Sequence, residues 1–342
     1  MVKHKMETEI LKSFEVKKAA DIIKDGGLVA LPTETVYGLG ADAFNKDAIK
    51  KIFIAKGRPN DNPLIVHISD FYEVYNLTRD FKESAKELVK VFWPGPLTII
   101  LPKSDRVIDE VTAGLDSVAI RFPSHPLIKE VIKLAKTPIA APSANLSGKP
   151  SPTKLSHVIH DMNGKIDAIL DGGDCSVGLE STVISFVSKK PRLFRPGAIT
   201  VEQIEKVIGK IDIDPAVLEV LDKDKKVMSP GLKYKHYAPN AKVIILDCDS
   251  EKYVDFVNKN NSSDVAALCF DDDLKNLKGL AISFGKENNE IMQAKLFFDA
   301  LRKFDDFPHI KTIYSRCPSK KGVGLAVYNR LIRAAGFSIK KL

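Results

Sequence analysis

Short apolar runs alternate with amphipathic segments along most of this 342-residue chain. In the first example, a helical pattern over residues 16–24 stops at Gly26 and Gly27, and the apolar run from Leu28 to Leu31 follows it. Glycine readily takes the left-handed conformation that ends a helix, and a short apolar run between breaks is typical of a buried strand. Helices that alternate with buried strands predict an α/β fold around a largely buried sheet.

The same patterns predict the other elements of the first part of the chain. Asn45 is a predicted N-cap, because its side chain can accept hydrogen bonds from the first turn of a helix, and Gly57 is the predicted end of that helix. The further predicted helices cover residues 45–56, 84–92, 125–136 and 201–208. The further predicted strands cover residues 64–68, 97–101, 117–122, 138–141, 166–170, 181–187 and 192–194.

The alternation breaks between about residues 211 and 240. This stretch is charged and then contains "SPGLKYKHYAP", whose prolines and glycine favour an extended linker. Beyond it, predicted strands over residues 242–246, 265–270 and 310–314 alternate with predicted helices near Tyr253 and over residues 291–304 and 323–335. Because the chain is long for one core, we expect a first domain over residues 1–210, a linker over 211–240 and a smaller α/β domain over 241–342.

Composition narrows the class of protein but not its partner. No apolar run approaches the roughly 18 residues of a membrane helix, and the first residues lack the apolar core of a signal peptide. The four cysteines are scattered without a CxxC pair, so neither a zinc site nor a disulfide framework is indicated. We therefore expect a cytoplasmic protein without membrane contact. The net charge of +8 favours an anionic partner, but a surface that binds nothing can carry it as well.

Polar segments rich in proline and glycine follow several predicted strands. "PTETVYGLG" follows the strand that ends at Leu31, and the carboxyl edge of an open α/β sheet usually binds ligands. "GLGADA" matches the dinucleotide fingerprint, but its glycines lie well beyond the strand end, so the required context is missing. "APSANLSGKPSPT" and "DGGDCSVGLESTV" present hydroxyl and amide groups suited to phosphate or ribose. For each segment, ordinary turn chemistry is the alternative.

Several cations lie in or beside these segments. Lys56 and Arg58 are two residues apart in "KGRPNDNPL", and an arginine fork binds phosphate oxygens bidentately. Alone, such a pair is more often solvated. Arg121 lies near the end of another predicted strand, where its charge can require a carboxylate or phosphate partner, and Arg195 follows a further predicted strand. For each, a surface charge is the alternative. His67, within "LIVHI", is on its own more often a core side chain than a ligand.

The linker combines cations with aromatic residues, at Tyr234, Lys235, His236 and Tyr237. Such a segment can bind RNA by stacking, close over a ligand as a lid, or remain a solvated linker. A second class of function is therefore an RNA-binding module that grips tRNA phosphates with a basic face. That function accounts for the net charge, but not for hydroxyl-rich loops gathered around a few cations.

Taken together and in order, these segments resemble the YrdC-like family of threonylcarbamoyl-adenylate synthases in its longer, two-domain (Sua-type) form. The motifs that carry the resemblance are "PTETVYGLG", "KGRPNDNPL", "WPGPLT", "RFPSHP", "APSANLSGKPSPT", "DGGDCSVGLESTV", "RPGAIT", "SPGLKYKHYAP" and "GVGLAVYNR". The resemblance covers almost the entire chain. It implies a YrdC-like twisted open sheet followed by a linker and a smaller Rossmann-like α/β domain. The chain departs from the pattern at Ser185, where many relatives have aspartate, which weakens any proposal of a carboxylate metal ligand there.

The resemblance implies a nucleotidyltransferase that joins L-threonine, bicarbonate and ATP and releases pyrophosphate. In the family, the product passes to a tRNA threonylcarbamoyl transferase complex for the t6A modification of tRNA. We expect Mg²⁺ to accompany ATP, without metal ligands from protein side chains. Weak direct tRNA binding is compatible with the net charge. The related carbamoyl-adenylate chemistry of hydrogenase maturation proteins is disfavoured, because acylphosphatase-like and zinc-finger segments are missing from the sequence.

The resemblance also implies roles for individual residues. The implied ATP-binding residues are Lys56, Arg58, Asn62, Ser117, Ser143, Asn145, Ser151, Arg195 and Tyr234. The implied threonine-binding residues are Thr35, His67, Arg121, Ala141 and Ser181. Lys56 and Arg58 are the predicted catalytic pair, since they are expected to hold phosphates, and the linker is expected to cover the active site. For His67, the resemblance favours a ligand role over a purely structural one.

Overall fold

The computed structural model of the chain describes residues 7–219 and 237–342. Its strands form two sheets, so the described residues divide into a first unit (7–219) and a second unit (237–342). The strands of the first unit are β1 (Glu9–Leu11), β2 (Val29–Leu31), β3 (Gly38–Asp42), β4 (Ile65–His67), β5 (Leu97–Pro102), β6 (Ser117–Arg121), β7 (Ile139–Ala140), β8 (Ala168–Leu170), β9 (Thr182–Ser185), β10 (Arg192–Arg195) and β11 (Asp212–Ile213). The strands of the second unit are β12 (Lys242–Asp247), β13 (Val265–Cys269), β14 (Leu280–Ser283), β15 (Thr312–Arg316) and β16 (Ile339–Lys341).

Helices cover both sheets. Those of the first unit are α1 (Val16–Lys24), α2 (Lys46–Lys56), α3 (Val74–Leu77), α4 (Glu83–Phe92), α5 (Asp109–Thr112), α6 (Pro126–Ala135), α7 (Leu155–Met162) and α8 (Val201–Ile208). Those of the second unit are α9 (Ser250–Lys259), α10 (Glu290–Lys303) and α11 (Gly324–Ala334). Within the described ranges, no helix combines the length and the apolar character needed to cross a membrane.

Helix α2 begins and ends at the residues that the sequence indicates. The Asn45 side chain accepts hydrogen bonds from the backbone N–H groups of Asp47 and Ala48, which satisfies two donors of the first turn. Gly57 ends the helix in the left-handed conformation, with φ of 59°. The helix therefore stops directly after Lys56, which is buried beneath the loop that follows β7.

The larger sheet is mixed, in the spatial order β1-β8-β2-β3-β7-β4-β6-β5-β9-β10-β11. Strands β4 and β6 run parallel, with Ile65 opposite Ala119 and His67 opposite Arg121. Residues two apart on a strand, and residues directly opposite each other, share one face of a sheet. The side chains of these four residues therefore lie on the same face.

The two faces of the larger sheet are covered differently. One face packs on a large apolar cluster that includes Val66, Ile99 and Ile120 together with helices α2, α4, α7 and α8. On the opposite face, helices α1 and α6 pack mainly over β1, β2 and β8. Only a small cluster that includes Ile65 and Ala119 lies on that face at β4 and β6. The central strands thus keep part of one face open beside α1 and α6.

The second unit is built on a parallel sheet, in the order β14-β13-β15-β12-β16. Its main apolar cluster also contains Val36 and Leu179 of the first unit, so the two units share a packed interface. Every residue of α11 is buried, because this helix packs against its own sheet and also reaches the first unit. A helix that is buried on all sides belongs to the inside of a structure rather than to a solvated surface.

The twisted, open α/β sheet and the smaller α/β unit confirm the predicted fold class. The sequence patterns did not predict β1, β3, β11, β14, β16 or the short helices α3 and α5. Strand β3 starts with "GLG", and glycine is depleted in strands. A Cβ atom at Gly40 would lie 2.9 Å from side-chain atoms of Leu31 and Ile139, so close packing of the neighbouring strands requires glycine there. Tertiary contact here outweighs local preference.

Two segments differ from their predicted setting. Strand β11 pairs with β10 and a 3-10 turn at Pro215–Val217 follows it, so the start of the range assigned to the linker is packed structure. The one-turn spacing of His157 and His160 in the sequence indicates a surface helix, and α7 forms there, but His157 lies 3.2 Å from Asp299 of α10 at the interface between the units. His160, about one turn further along that helix, is exposed, as in a surface helix.

Candidate active site

A pocket lies on the open part of the larger sheet, over β4 and β6. It encloses about 690 Å³, part of which is open to solvent. The predicted site residues that line it are Thr35, Arg58, Asn62, His67, Arg121, Ala141, Ser143, Asn145, Ser181 and Arg195. The sequence places the site at a strand edge, whereas the structure places it over a face, because β4 and β6 present Ile65, His67 and Arg121 on the same side of the sheet.

Arg121 is held at one end of the pocket by two residues of "PTETVYG". Its Nη1 donates to Thr35 Oγ1 at 2.8 Å, and its Nη2 lies 2.7 Å from Glu34 Oε1. The second contact is an ion pair without hydrogen-bond alignment, and both side chains are less than a tenth exposed. Burial tends to raise the pKa of Glu34, but the charge and proximity of Arg121, together with nearby backbone N–H groups, outweigh burial and hold that pKa below its usual range. Sequence reasoning missed Glu34, although it stands inside a motif singled out for chemistry.

His67 serves both as a core residue and as part of the pocket wall. It is buried, and its Nδ1 lies 3.1 Å from the carbonyl oxygen of Ile65, which is the geometry of an N–H donating to that oxygen. Burial first, and then the charge of Arg121, lower the pKa of His67 to about 3. The ring is therefore neutral near pH 7 and can take part in hydrogen bonds without adding charge beside Arg121.

The loop after α2 brings Arg58 and Asn62 to the opposite end. Arg58 Nη2 donates to the carbonyl oxygens of Asn62 and Pro63, at 3.0 and 3.3 Å. Burial lowers the pKa of Arg58 to about 10, so the guanidinium stays charged near pH 7. Arg58 Nε, Asn62 Oδ1 and Asn145 Oδ1 are buried without a hydrogen-bond partner within the described part of the chain, and all three residues line the pocket. Buried polar groups are normally paired, so this end is built for a polar ligand.

Lys56 lies behind this end rather than on its surface. Its Nζ donates to the carbonyl oxygens of Ser143 and Asn145 and thereby supports the loop that follows β7. Burial, followed by the nearby charge of Arg58, lowers the pKa of Lys56 well below its usual range. Direct phosphate binding by Lys56 stays a prediction, because in this geometry the ammonium group is occupied by two carbonyls.

A third part of the pocket lining consists of Ser181, directly before β9, and Arg195, the last residue of β10. Arg195 Nε donates to the carbonyl oxygen of Ser181 at 2.9 Å, and its Nη2 donates to Ser181 Oγ at 3.1 Å. Ser181 Oγ also lies 2.7 Å from Thr98 Oγ1. Burial lowers the pKa of Arg195 to about 10, so this guanidinium is also charged near pH 7. The bonds to Ser181 fix the position of the Arg195 guanidinium in the wall.

Glu180, which sequence reasoning missed, lines the pocket next to Ser181. Its Oε1 accepts a hydrogen bond from Ser151 Oγ, so the predicted ATP residue Ser151 supports this carboxylate from within the structure. Burial tends to raise the pKa of Glu180, but the charges of Arg330 and Arg195, together with the hydrogen bond from Ser151 and a backbone N–H, outweigh burial and lower that pKa. An ionised carboxylate between arginines limits the positive charge of this wall.

Two further residues complete the predicted set, and one residue of the linker joins the pocket in addition. Ser117 is buried at the start of β6 and does not line the pocket. Tyr234 lies outside the described residues. Tyr237, at the end of the linker, lines the pocket, and its ring centroid lies 5.2 Å from that of Phe298 in the second unit.

The pocket can hold an anionic ligand together with a small zwitterion. Three arginines line it, and each keeps polar contacts that fix its orientation. Among residues 7–219 and 237–342, no group of three or more histidine, cysteine or acidic side chains is placed to bind a metal ion. The three arginines therefore offer binding and charge stabilisation to a ligand.

Comparisons with known proteins agree with this geometry. A family model described as "Telomere recombination" matches residues 21–197, and one described as "Threonylcarbamoyl-AMP synthase, C-terminal domain" matches residues 199–336. Threonylcarbamoyl-AMP synthase of Pyrococcus abyssi is 45% identical over 343 residues, which cover 98% of each chain. The Bacillus subtilis protein of the same name is 47% identical, over 94% of this chain and 93% of its own. The crystal structure of P. abyssi Sua5 complexed with L-threonine has a TM-score of 0.90 at 42% identity, covering 98% of this chain and all (100%) of that chain.

Proposed function

The chain belongs to the Sua5 family of threonylcarbamoyl-AMP synthases, and from that premise we propose a place for each substrate in the pocket. The activity is that of a nucleotidyltransferase, which forms threonylcarbamoyl-AMP for the t6A modification of tRNA. One observation carries the placement of the substrates. Charged guanidinium groups and unpartnered buried polar atoms line the same pocket, in a fold shared with a relative solved with L-threonine.

Threonine is assigned to the end of the pocket at Arg121. An amino-acid carboxylate is a natural partner for a guanidinium, and Arg121 is already oriented by Thr35 and Glu34. Neutral His67 and the hydroxyl of Ser181 line the same region and can hydrogen-bond the amine or hydroxyl of the substrate. The ionised carboxylate of Glu34 balances the charge of Arg121, so this end of the pocket is close to neutral, which suits a zwitterion.

ATP is assigned to the walls that contain Arg58 and Arg195. Both guanidinium groups remain charged near pH 7 and can stabilise the charge that develops on the phosphates during transfer. Asn62, Ser143 and Asn145 line the space between them and offer amide and hydroxyl groups. Magnesium enters as part of the nucleotide substrate, and the unpartnered oxygens of Asn62 and Asn145 can accept hydrogen bonds from its water ligands.

The chemistry follows from holding these substrates together. The deprotonated amine of threonine forms a C–N bond with bicarbonate, water leaves, and a carbamate results. A carbamate oxygen then attacks the α-phosphorus of ATP, and the bond from that phosphorus to the pyrophosphate oxygen breaks. No side-chain nucleophile is needed, because phosphoryl-type transfer depends mainly on positioning and charge stabilisation. The adenylate then passes to a tRNA threonylcarbamoyl transferase complex.

An isotope experiment tests this reaction directly. The full-length chain is incubated with Mg·ATP, L-threonine and labelled bicarbonate, and the products are separated. We expect one labelled adenylate for each pyrophosphate released, with both signals dependent on threonine. Pyrophosphate release without label in an adenylate would mean that the pocket activates a different nucleophile.

A further inference from the structure

Arg330 of the second unit enters the wall of the pocket in the first unit. It lies on α11, its side chain is fully buried, and its Nε donates to Glu180 Oε2 at 3.0 Å. Its Nη2 donates to the backbone carbonyl of Glu180 at 3.2 Å, and its Nη1 donates to the carbonyl of Pro196 and to Asn329 Oδ1. One guanidinium therefore joins two separate segments of the first unit.

Both of these segments present residues to the pocket. Glu180 lines it directly and precedes Ser181, while Pro196 follows Arg195. The two segments touch closely: a Cβ atom at Gly197 would lie 2.4 Å from the backbone nitrogen of Thr182. A shift of either segment would move Ser181 and Arg195 together.

We propose that Arg330 is a positioning residue for the synthase reaction, through which the second unit fixes the pocket wall formed by Glu180, Ser181 and Arg195. The proposal rests on the proposed function, because it concerns the same pocket. Arg330 itself does not line the pocket, so its effect on the substrates passes through Glu180 and the turn at Pro196.

The choice of arginine supports a role in placing polar groups rather than in packing alone. A buried ion pair adds little to stability compared with well-packed apolar side chains, so stability by itself does not call for it. The planar fork of arginine reaches the Glu180 carboxylate and two backbone carbonyls from three separate nitrogens, whereas a lysine would have to serve all of them from one ammonium nitrogen. An arginine is therefore suited to holding these two loops in a fixed position relative to each other.

A matched pair of variants in the full-length chain tests the proposal. Arg330→Met removes the contacts to the pocket wall. The control is Arg316→Met, because Arg316 is equally buried in the second unit but contacts Asp273 and Glu287 there instead of the first unit. Both variants lose a buried arginine, so both are expected to lower the unfolding temperature. Steady-state kcat and KM for ATP and threonine are measured well below that temperature.

We expect Arg330→Met to lower kcat/KM on the order of 100-fold, the size of effect known for misplaced active-site groups, while Arg316→Met stays within about twofold of the wild type. Arg330→Lys, which keeps charge but not the fork, is expected to lie closer to the methionine variant, and it serves as the test if that variant does not fold. The losses caused by Glu180→Gln and Arg330→Met should be less than additive in the Glu180→Gln/Arg330→Met double variant, since part of the effect of Arg330 passes through the Glu180 side chain.

Wild-type kinetics in Arg330→Met or Arg330→Lys would overturn the proposal, and so would an equal loss of kcat/KM in Arg316→Met. Independent, additive losses in the double variant would also overturn it. These outcomes are distinct from a failure of the proposed function, in which the wild-type chain itself forms no adenylate.

Discussion

The substitution Arg121→Met should reveal how strongly the threonine end of the pocket depends on one ion pair. It removes the cation beside Glu34, and Glu34 has only 7% of its surface exposed, so water cannot replace the lost partner. Breaking a buried ion pair on one side costs about 3–5 kcal/mol, because the remaining charge stays buried. Since neither side chain is exposed, solvent screening does not reduce that figure. We therefore expect the free energy of unfolding to fall by about that amount at pH 8.

The size of this loss should depend on pH, in a direction set by Glu34. In the wild type, the pKa of Glu34 is lowered, so its contribution to stability is present above the unfolded-state pKa and is lost as pH falls through the folded-state value. Without Arg121, burial dominates and raises the pKa of Glu34, so the charged form destabilises the folded state at high pH. That penalty disappears as the carboxyl takes up a proton. The difference between wild type and variant should therefore shrink between pH 8 and pH 5.

Urea unfolding at several pH values measures the effect. The control is the double variant Arg121→Met/Glu34→Gln, which removes both charges and is expected to recover most of the lost stability at pH 8. The double variant should still bind threonine poorly, because the guanidinium that meets the substrate carboxylate is gone. A loss below about 1 kcal/mol at pH 8, or a loss that does not change with pH, would refute the reasoning.

Three further outcomes are expected. Lys56→Ala and Arg58→Ala should each abolish most synthase activity, with the fold intact by circular dichroism, and wild-type turnover in both variants would contradict this. Lys56→Ala should also lower the unfolding free energy by about 2 kcal/mol, because two carbonyls lose their donor. Because the pKa of His67 is about 3, a plot of kcat/KM for threonine against pH should show no inflection from this ring between pH 6 and 8. His67→Gln should leave the shape of that profile unchanged, and an inflection present only in the wild type would contradict the assignment. A chelator should stop pyrophosphate release until Mg²⁺ is restored. It should not change the unfolding temperature, because the described residues form no metal-binding cluster. A drop in unfolding temperature would indicate a resident metal.

The loops of the site could be predicted because their amino-acid composition is determined by the local backbone conformation. Segments rich in proline, glycine and hydroxyl residues interrupt the strands that precede them, and their order along the chain identifies the family. The ends of α2 were likewise predictable, since Asn45 and Gly57 act on their own neighbours. Such features depend on contacts within a few residues, which a sequence displays directly.

The features that the sequence did not reveal depend on contacts between distant residues. No local pattern indicates that the Lys56 ammonium meets carbonyls nearly ninety positions further along, at Ser143 and Asn145. Likewise, no local pattern indicates that Arg330 meets Glu180, from which it is separated by 150 positions and a change of unit. A buried charge in a sequence shows that a partner is needed, but only the fold shows which partner it has.

A crystal structure of the full-length chain with L-threonine and a non-hydrolysable ATP analogue tests the central claim most directly. We predict the phosphates between Arg58 and Arg195 and the threonine carboxylate at Arg121, in one continuous pocket. A triphosphate lodged elsewhere, with Arg58 and Arg195 making no contact to it, would contradict the assignment of this pocket as the site of adenylate formation.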